Sequence, residues 1–219
     1  MPQPLLLKTL VFLVVLALLA SALSPYDRTT WLLETLPAAI LLPALTYNHR
    51  RFPLSTLVYL LLTVQALGLI AGGHYSFARV PLGFWLQDWF EFSRNPYDRL
   101  GHFMQGIVPA LLAREFLVRK GGVNGRHLLP FVCVCMAMTL SAVYELVEWA
   151  AALALGQGAE EFLGMQGDEW DTQADMFCAL LGALTAMTLL VPLHNRSMTA
   201  IKASGSDRAT VRNKTTSVL

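Results

Sequence analysis

Five ionisable residues have types and spacings that could do chemistry: His102, Glu145, Glu148, Asp171 and Asp175. Each lies in or beside a run apolar enough to cross a bilayer. A carboxylate at mid-membrane costs about 2.5 to 3.5 kcal/mol even on translocon-based scales, so acids in such places are usually paired, metal-bound or turned to a polar cavity. In YDRLGHFMQG, Asp98, His102 and Gln105 follow at i, i+4 and i+7, one face of a helix, with Arg99 on its border. A carboxylate one turn from a histidine fixes its tautomer and raises its basicity, as a general base or a metal ligand requires. A satisfied polar pair that merely holds the helix end has the same signature.

In SAVYELVEW, Ser141, Glu145 and Glu148 repeat the spacing, flanked by Tyr144 and Trp149 in an otherwise apolar run. Two close carboxylates in a low dielectric must share a proton or be compensated by a cation, either Arg99 or a bound metal. In GDEWDTQADM, Asp168 or Asp171 can cap a helix, accepting from its free amides. Capping leaves Asp175, one turn deeper, and Gln173 unexplained. Together these segments predict a pocket in which His102, Glu145, Glu148, Asp171 and Asp175 do acid–base work, or His102, Glu145, Asp171 and Asp175 bind a metal. Asp98, Arg99, Gln105, Asp168 and Gln173 complete its polar wall. One imidazole among carboxylates suits a divalent Mg, Mn or Fe better than structural zinc.

The elements that must position these groups are membrane helices. The chain is 55% hydrophobic and only 14% charged, with mean hydropathy +0.50, far from a soluble domain with about a quarter of its residues charged. Six apolar runs have spanning length: about 5–23, 31–47, 54–72, 100–118, 127–153 and 172–193. The second contains Glu34, Pro37 and Pro43, which predicts a kink. The first could instead be a signal peptide, with Lys8 ahead of it and a small-x-small Ala20-Ser21-Ala22, although it is longer than a usual h-region. The fold class read here is all-α, a polytopic bundle of about six spans, over residues 1–195. An aromatic loop at about 73–97 suits the headgroup level. Glycines such as Gly68, Gly72 and Gly182 suit close helix packing. Gly156, Gly158, Glu160 and Glu161 predict a pliable loop, and the Ser, Thr, Lys and Arg of 196–219 a disordered tail.

Basic residues set the orientation. With the N-terminus cytoplasmic, Lys8, Arg50, Arg51, Arg114, Arg119, Lys120, Arg126 and the basic tail fall inside, against Arg28, Arg79, Arg94 and Arg99 outside. Every acid except Glu115 and Asp207 then lies toward the outer side. Both termini are expected in the cytoplasm, and the pocket opens outward. A net charge of +1 with scattered arginines argues against a nucleic-acid binder. Cys133, Cys135 and Cys178 lie in apolar runs and read as packing residues. No serine-hydrolase elbow, phosphate-binding loop, dinucleotide fingerprint or HExxH motif occurs.

YDRLGHFMQG with Arg114-Glu115, YELVEW, and GMQGDEWDTQADM with Ala179 to Gly182 resemble the YjdF-type family of bacterial inner-membrane proteins. More distantly, Asp98, His102, Phe103, Glu145, Asp171 and Asp175 are similar to a pattern in VanZ-like membrane proteins, with Glu148 as an addition. The resemblance implies a multi-pass protein of the bacterial inner membrane, and site positions rather than a reaction. Three functions follow: an enzyme acting on a lipid-linked or cell-envelope substrate, a proton-coupled transporter, and a non-catalytic structural subunit. The lipid bilayer is the one certain partner; oligomeric state is open.

Overall fold

The computed structural model describes residues 3–123, 125–156 and 164–201. Seven helices account for most of them: α1 (Gln3–Ser21), α2 (Arg28–Asn48), α3 (Thr56–Tyr75), α4 (Pro81–Phe90), α5 (Tyr97–Lys120), α6 (Leu128–Leu155) and α7 (Asp171–Ile201). α1, α2, α3, α6 and α7 are long and apolar enough to cross a membrane. α5 carries Asp98 and Arg99 at its start and Arg114, Glu115, Arg119 and Lys120 toward its end, too many charges to read as apolar. Its 24 residues nevertheless reach about 36 Å at 1.5 Å each, and its neighbours shield those ends. It is the sixth span. α4, with ten residues, is too short to cross; it leaves Trp85, Trp89 and Phe90 exposed, as an interfacial helix would.

The chain passes up and down, so residues 22–27, 76–96 and 164–170 gather at one end of the bundle, called here the acidic end. Residues 49–55, 121–123 and 125–127 gather at the other, the basic end. α2 starts where the Asp27 carboxylate accepts from the Thr30 amide at 2.7 Å. It stays one continuous helix across Pro37 and Pro43, although each proline removes one amide from the ladder. The Gln3 side chain donates to Leu54 O at 2.6 Å, tying the start of α1 to the basic end. At the acidic end, Trp31 Nε1 donates to Ser21 Oγ, and His74 Nδ1 lies 2.9 Å from Ser21 O. The first bond ties α2 to the end of α1, and the second ties that end to α3.

α5 is the axis, packed by α3, α6 and α7. Its closest approach is to α7, and glycine permits it: a Cβ at Gly106 would overlap the Ala179 carbonyl, and one at Gly182 the Phe103 carbonyl. Ile107, Val108, Ala110 and Leu111 of α5 meet Val58, Tyr59 and Leu62 of α3, Ala137 of α6, and Ala183 and Ala186 of α7 in one apolar layer. Gly68 and Gly72, also expected at close helix contacts, serve otherwise. Gly68 offers its carbonyl to the Tyr97 hydroxyl at 3.0 Å, and Gly72 lies under the Phe77 ring.

α7 runs to Ile201, past the boundary that the sequence drew at residue 195. Within it, Ala186–Leu190 form a π turn, which nothing in the sequence signals. The expected pliable residues Gly158, Glu160 and Glu161, and the tail from 202 onward, lie outside the described residues.

Candidate functional site

The first turns of α5 set His102 in place. Its neighbours on the stripe are buried with it: Asp98, His102 and Gln105 are 8%, 5% and 8% exposed. Nδ1 lies 2.9 Å from the Gln105 amide oxygen. An amide oxygen only accepts, so Nδ1 donates to it. Nε2 lies 3.5 Å from Asp98 Oδ1, and Asp175 reaches the same place from α7. One ligand atom each from Asp98, His102 and Asp175 falls within 4.8 Å of the others.

α6 closes the other flank. Glu145 Oε1 lies 3.5 Å from His102 Nδ1, and His102, Glu145 and Glu148 form a second group within the same 4.8 Å limit. Tyr144 stands edge-on to the imidazole, ring centroids 6.2 Å apart, and its hydroxyl donates to Glu34 Oε2 at 3.1 Å. Five carboxyls therefore gather about one imidazole: Glu34, Asp98, Glu145, Glu148 and Asp175. Two of their oxygens, Glu145 Oε1 and Asp175 Oδ1, are buried without a hydrogen-bond partner, as is Ser141 Oγ. Buried polar atoms are rarely left so. An acceptor-rich cluster with orphaned oxygens is what a cation would complete.

The arginines nearby are committed elsewhere. Arg94, in the loop before α5, pairs with Asp171 at 2.5 Å and Asp168 at 3.4 Å, and donates to the carbonyls of Met165 and Gly164. Arg99 pairs with Asp168 at 2.5 Å. Asp171, expected among the metal ligands, is thus the counter-ion of Arg94; it fastens the start of α7 to the start of α5. Arg99, expected to offset Glu145 and Glu148, neutralises Asp168 instead. Gln173 is exposed and stands apart from the cluster. The loops are knit together by Asn95, whose amide accepts from and donates to the backbone of Tyr97 and Val80, and by Gln166, which bonds both the N–H and the carbonyl of Asn95.

Two members were not foreseen. Glu34 reads in the sequence as an interruption of α2, yet it is 2% exposed and reaches Tyr144. The rule that an acid in an apolar run marks a polar interior would have found it. Arg94 is 77 residues from its partner Asp171, and no local pattern joins them.

A cavity of about 350 Å³ leads from this cluster into the bundle. Asp98, His102, Gln105, Tyr144 and Glu148 line its acidic end. Farther in, its walls are Pro37, Ala38, Ile40, Leu41 and Ala44 of α2, Leu62, Gln65, Ala66 and Leu69 of α3, Val108, Pro109 and Leu112 of α5, and Leu140 of α6.

A family model described as "Predicted membrane protein (DUF2238)" matches residues 6–196, nearly all of the bundle. The chain belongs to that family. A similar DUF2238 relative is the "Inner membrane protein YjdF" of Escherichia coli (strain K12), 52% identical over 196 residues, which cover 90% of this chain and 94% of that one. The YjdF-type resemblance read from the three motifs is therefore correct, and this DUF2238 protein is a multi-pass protein of the bacterial inner membrane. The VanZ-like similarity remains a reading of the motifs alone. No solved structure matches the chain.

Proposed function

We propose that the chain is a divalent-metal-dependent enzyme acting on the polar end of a lipid-linked or cell-envelope substrate, with its acidic end outside. One observation carries the reading: the ligand atoms of Asp98, His102 and Asp175 converge, with an orphaned Asp175 oxygen, and two of the three, Asp98 and His102, line the polar end of a cavity within the bundle. Nε2 of His102 faces Asp98 Oδ1 at 3.5 Å, and the Gln105 bond on Nδ1 is the kind of second contact that orients a metal-ligating imidazole. Hard oxygen ligands favour Mg or Mn. Such an ion would supply Lewis acidity toward an ester or phosphoryl oxygen and would lower the pKa of a water bound to it. Glu148 lines the cavity beside the ligands, and Glu145 lies behind it; both can take up or return a proton.

The orientation rests on charge. Arg50, Arg51, Arg119, Lys120 and Arg126 sit at the end opposite the acids, and a Lys/Arg excess in short loops marks the cytoplasmic side. A transporter is less well supported, since beyond Gln105 only Gln65 interrupts the apolar lining of the cavity.

Mn²⁺ titration of protein in lipid nanodiscs, followed by electron paramagnetic resonance, tests the metal reading. Saturable binding is expected in the wild type. His102→Ala and Asp175→Asn should weaken it by at least about 100-fold, whereas Gln173→Ala should leave it unchanged. A wild-type protein that takes up no Mn²⁺ sinks the proposal. Labelling of single cysteines placed at Ser24 and Gly122 tests the orientation: in intact cells only the first should react with an impermeant maleimide.

A further inference from the structure

The acidic cluster is only the head of the cavity; the larger part is apolar and lies within the thickness of the membrane. α2 and α6 border it without packing along each other. The bond from the Tyr144 hydroxyl to Glu34 spans them near the acidic end. Below that bridge, the lining residues Ile40 and Leu140 are 61% and 48% exposed, and Ala44 is exposed too. The lips of the opening continue into lipid-facing strips: Leu32 and Leu36 on α2, Val143 and Val147 on α6. The cavity therefore opens sideways into hydrocarbon rather than only toward water.

We infer that this opening admits a single-chain amphiphile from the bilayer, its hydrocarbon chain lying between α2, α3 and α5 and its polar head reaching Asp98, His102 and Glu148. The inference rests on the enzyme reading for what happens to the head, and on the cavity for how the chain is held. Three features select this occupant. Polarity is graded along the cleft: ionisable groups line one end, and beyond Gln105 only Gln65 interrupts an apolar wall. The length fits a chain, since Asp98 to Leu112 along α5 covers about 21 Å at 1.5 Å per residue. The volume, about 350 Å³, is at the low end of the roughly 300 to 1,000 Å³ of small-molecule sites, which suits one chain rather than the two of a diacyl phospholipid. The Glu34–Tyr144 bridge then acts as a stop above the mouth, so the chain enters from the side and the head travels up to the acids. Fatty acids and lysophospholipids share the required chemistry.

The probe is a lysophospholipid with a diazirine at the end of its chain, in nanodiscs holding the full-length protein, beside a diacyl phospholipid carrying the same diazirine. Irradiation should place the single-chain label on peptides spanning 37–44, 62–69 and 105–112, with little from the diacyl probe. Ala44→Trp, which blocks the exposed mouth, and Ala66→Trp, which fills the interior, should each reduce that labelling by at least about tenfold. Val64→Trp, on the exposed face of α3, should not. Equal labelling by the diacyl probe, or labelling that survives both plugs, overturns the inference. The same samples are titrated with Mn²⁺. Cleft labelling without Mn²⁺ binding rejects the metal reading alone, and Mn²⁺ binding without cleft labelling rejects this inference alone.

Discussion

At the acidic end, His102 lies among carboxyls that outnumber the cations able to reach them, and two of their oxygens have no donor. At the basic end, Glu115 and His194 are buried even more completely, each 0% exposed. There, Glu115 Oε1 accepts from Arg119 and from the Ser55 amide, both at 2.7 Å, and Oε2 from His194 Nε2 at 3.1 Å. The other histidine nitrogen accepts from Arg114 at 3.2 Å, and Arg114 also donates to Asn195 at 2.7 Å. Both clusters bury an imidazole beside carboxylates between α5 and α7. They differ in completion. The Glu115 network gives its carboxylate a cation and both carboxylate oxygens a donor, as a structural tie between helices must. The His102 cluster is short of donors and faces a cavity. Burial and residue type alone do not separate structural from reactive groups; unmet valence does.

That contrast can be broken in order of expected effect. The largest difference is in metal uptake: His102→Ala should abolish Mn²⁺ binding, while Glu115→Gln should leave it within about twofold of the wild type. Comparable losses in both variants would erase the distinction. Next is stability. Glu115→Ala strands His194 and Arg119 and should cost about 3 to 5 kcal/mol, read as a fall in the thermal midpoint in nanodiscs. Glu145→Gln with Glu148→Gln should leave the metal-free midpoint level or raise it, because repelling charges are removed. A large destabilisation by that double change would show that the acidic cluster is also structural.

Gly182→Ala, between the two clusters, must push against the Phe103 carbonyl and should cost about 1 to 3 kcal/mol, disturbing both ends. The smallest effect belongs to Asp27, outside the spans. Its bond to the Thr30 amide holds its carboxyl below the ordinary value of 3.8. A lowered folded-state value means that the cap's contribution is complete at neutral pH and is lost as pH falls below 3.8 through the lowered value. Asp27→Ala should cost about 1 kcal/mol at neutral pH, a difference that shrinks under acid.

Much of this was legible in the sequence because membrane helices announce themselves by apolar runs. The six drawn runs correspond to α1, α2, α3, α5, α6 and α7, with ends displaced by a few residues except at α7. The i, i+4, i+7 pattern correctly put Asp98, His102 and Gln105 on one face, and Ser141, Glu145 and Glu148 on another. Partner choice was not legible. Asp171 and Asp175 differ by one turn, yet one is taken by an arginine from a loop 77 residues earlier and the other is left free. Glu34 meets Tyr144 across 110 residues. The basic-end network escaped because Arg114, Glu115 and His194 lie at or just beyond the ends of the apolar runs drawn from the sequence, where charges ordinarily face headgroups.

The π turn at Ala186–Leu190 bears on how one helix serves both clusters. Asp175 and His194 stand 19 positions apart on α7. At about 100° per residue in a regular helix, they would point about 100° away from each other. A π turn accommodates one extra residue, so the separation behaves as 18 positions, about five whole turns, and both side chains come round to α5. The turn works as a phase corrector. Without it, α7 could keep step with Glu115 or with His102, but not with both.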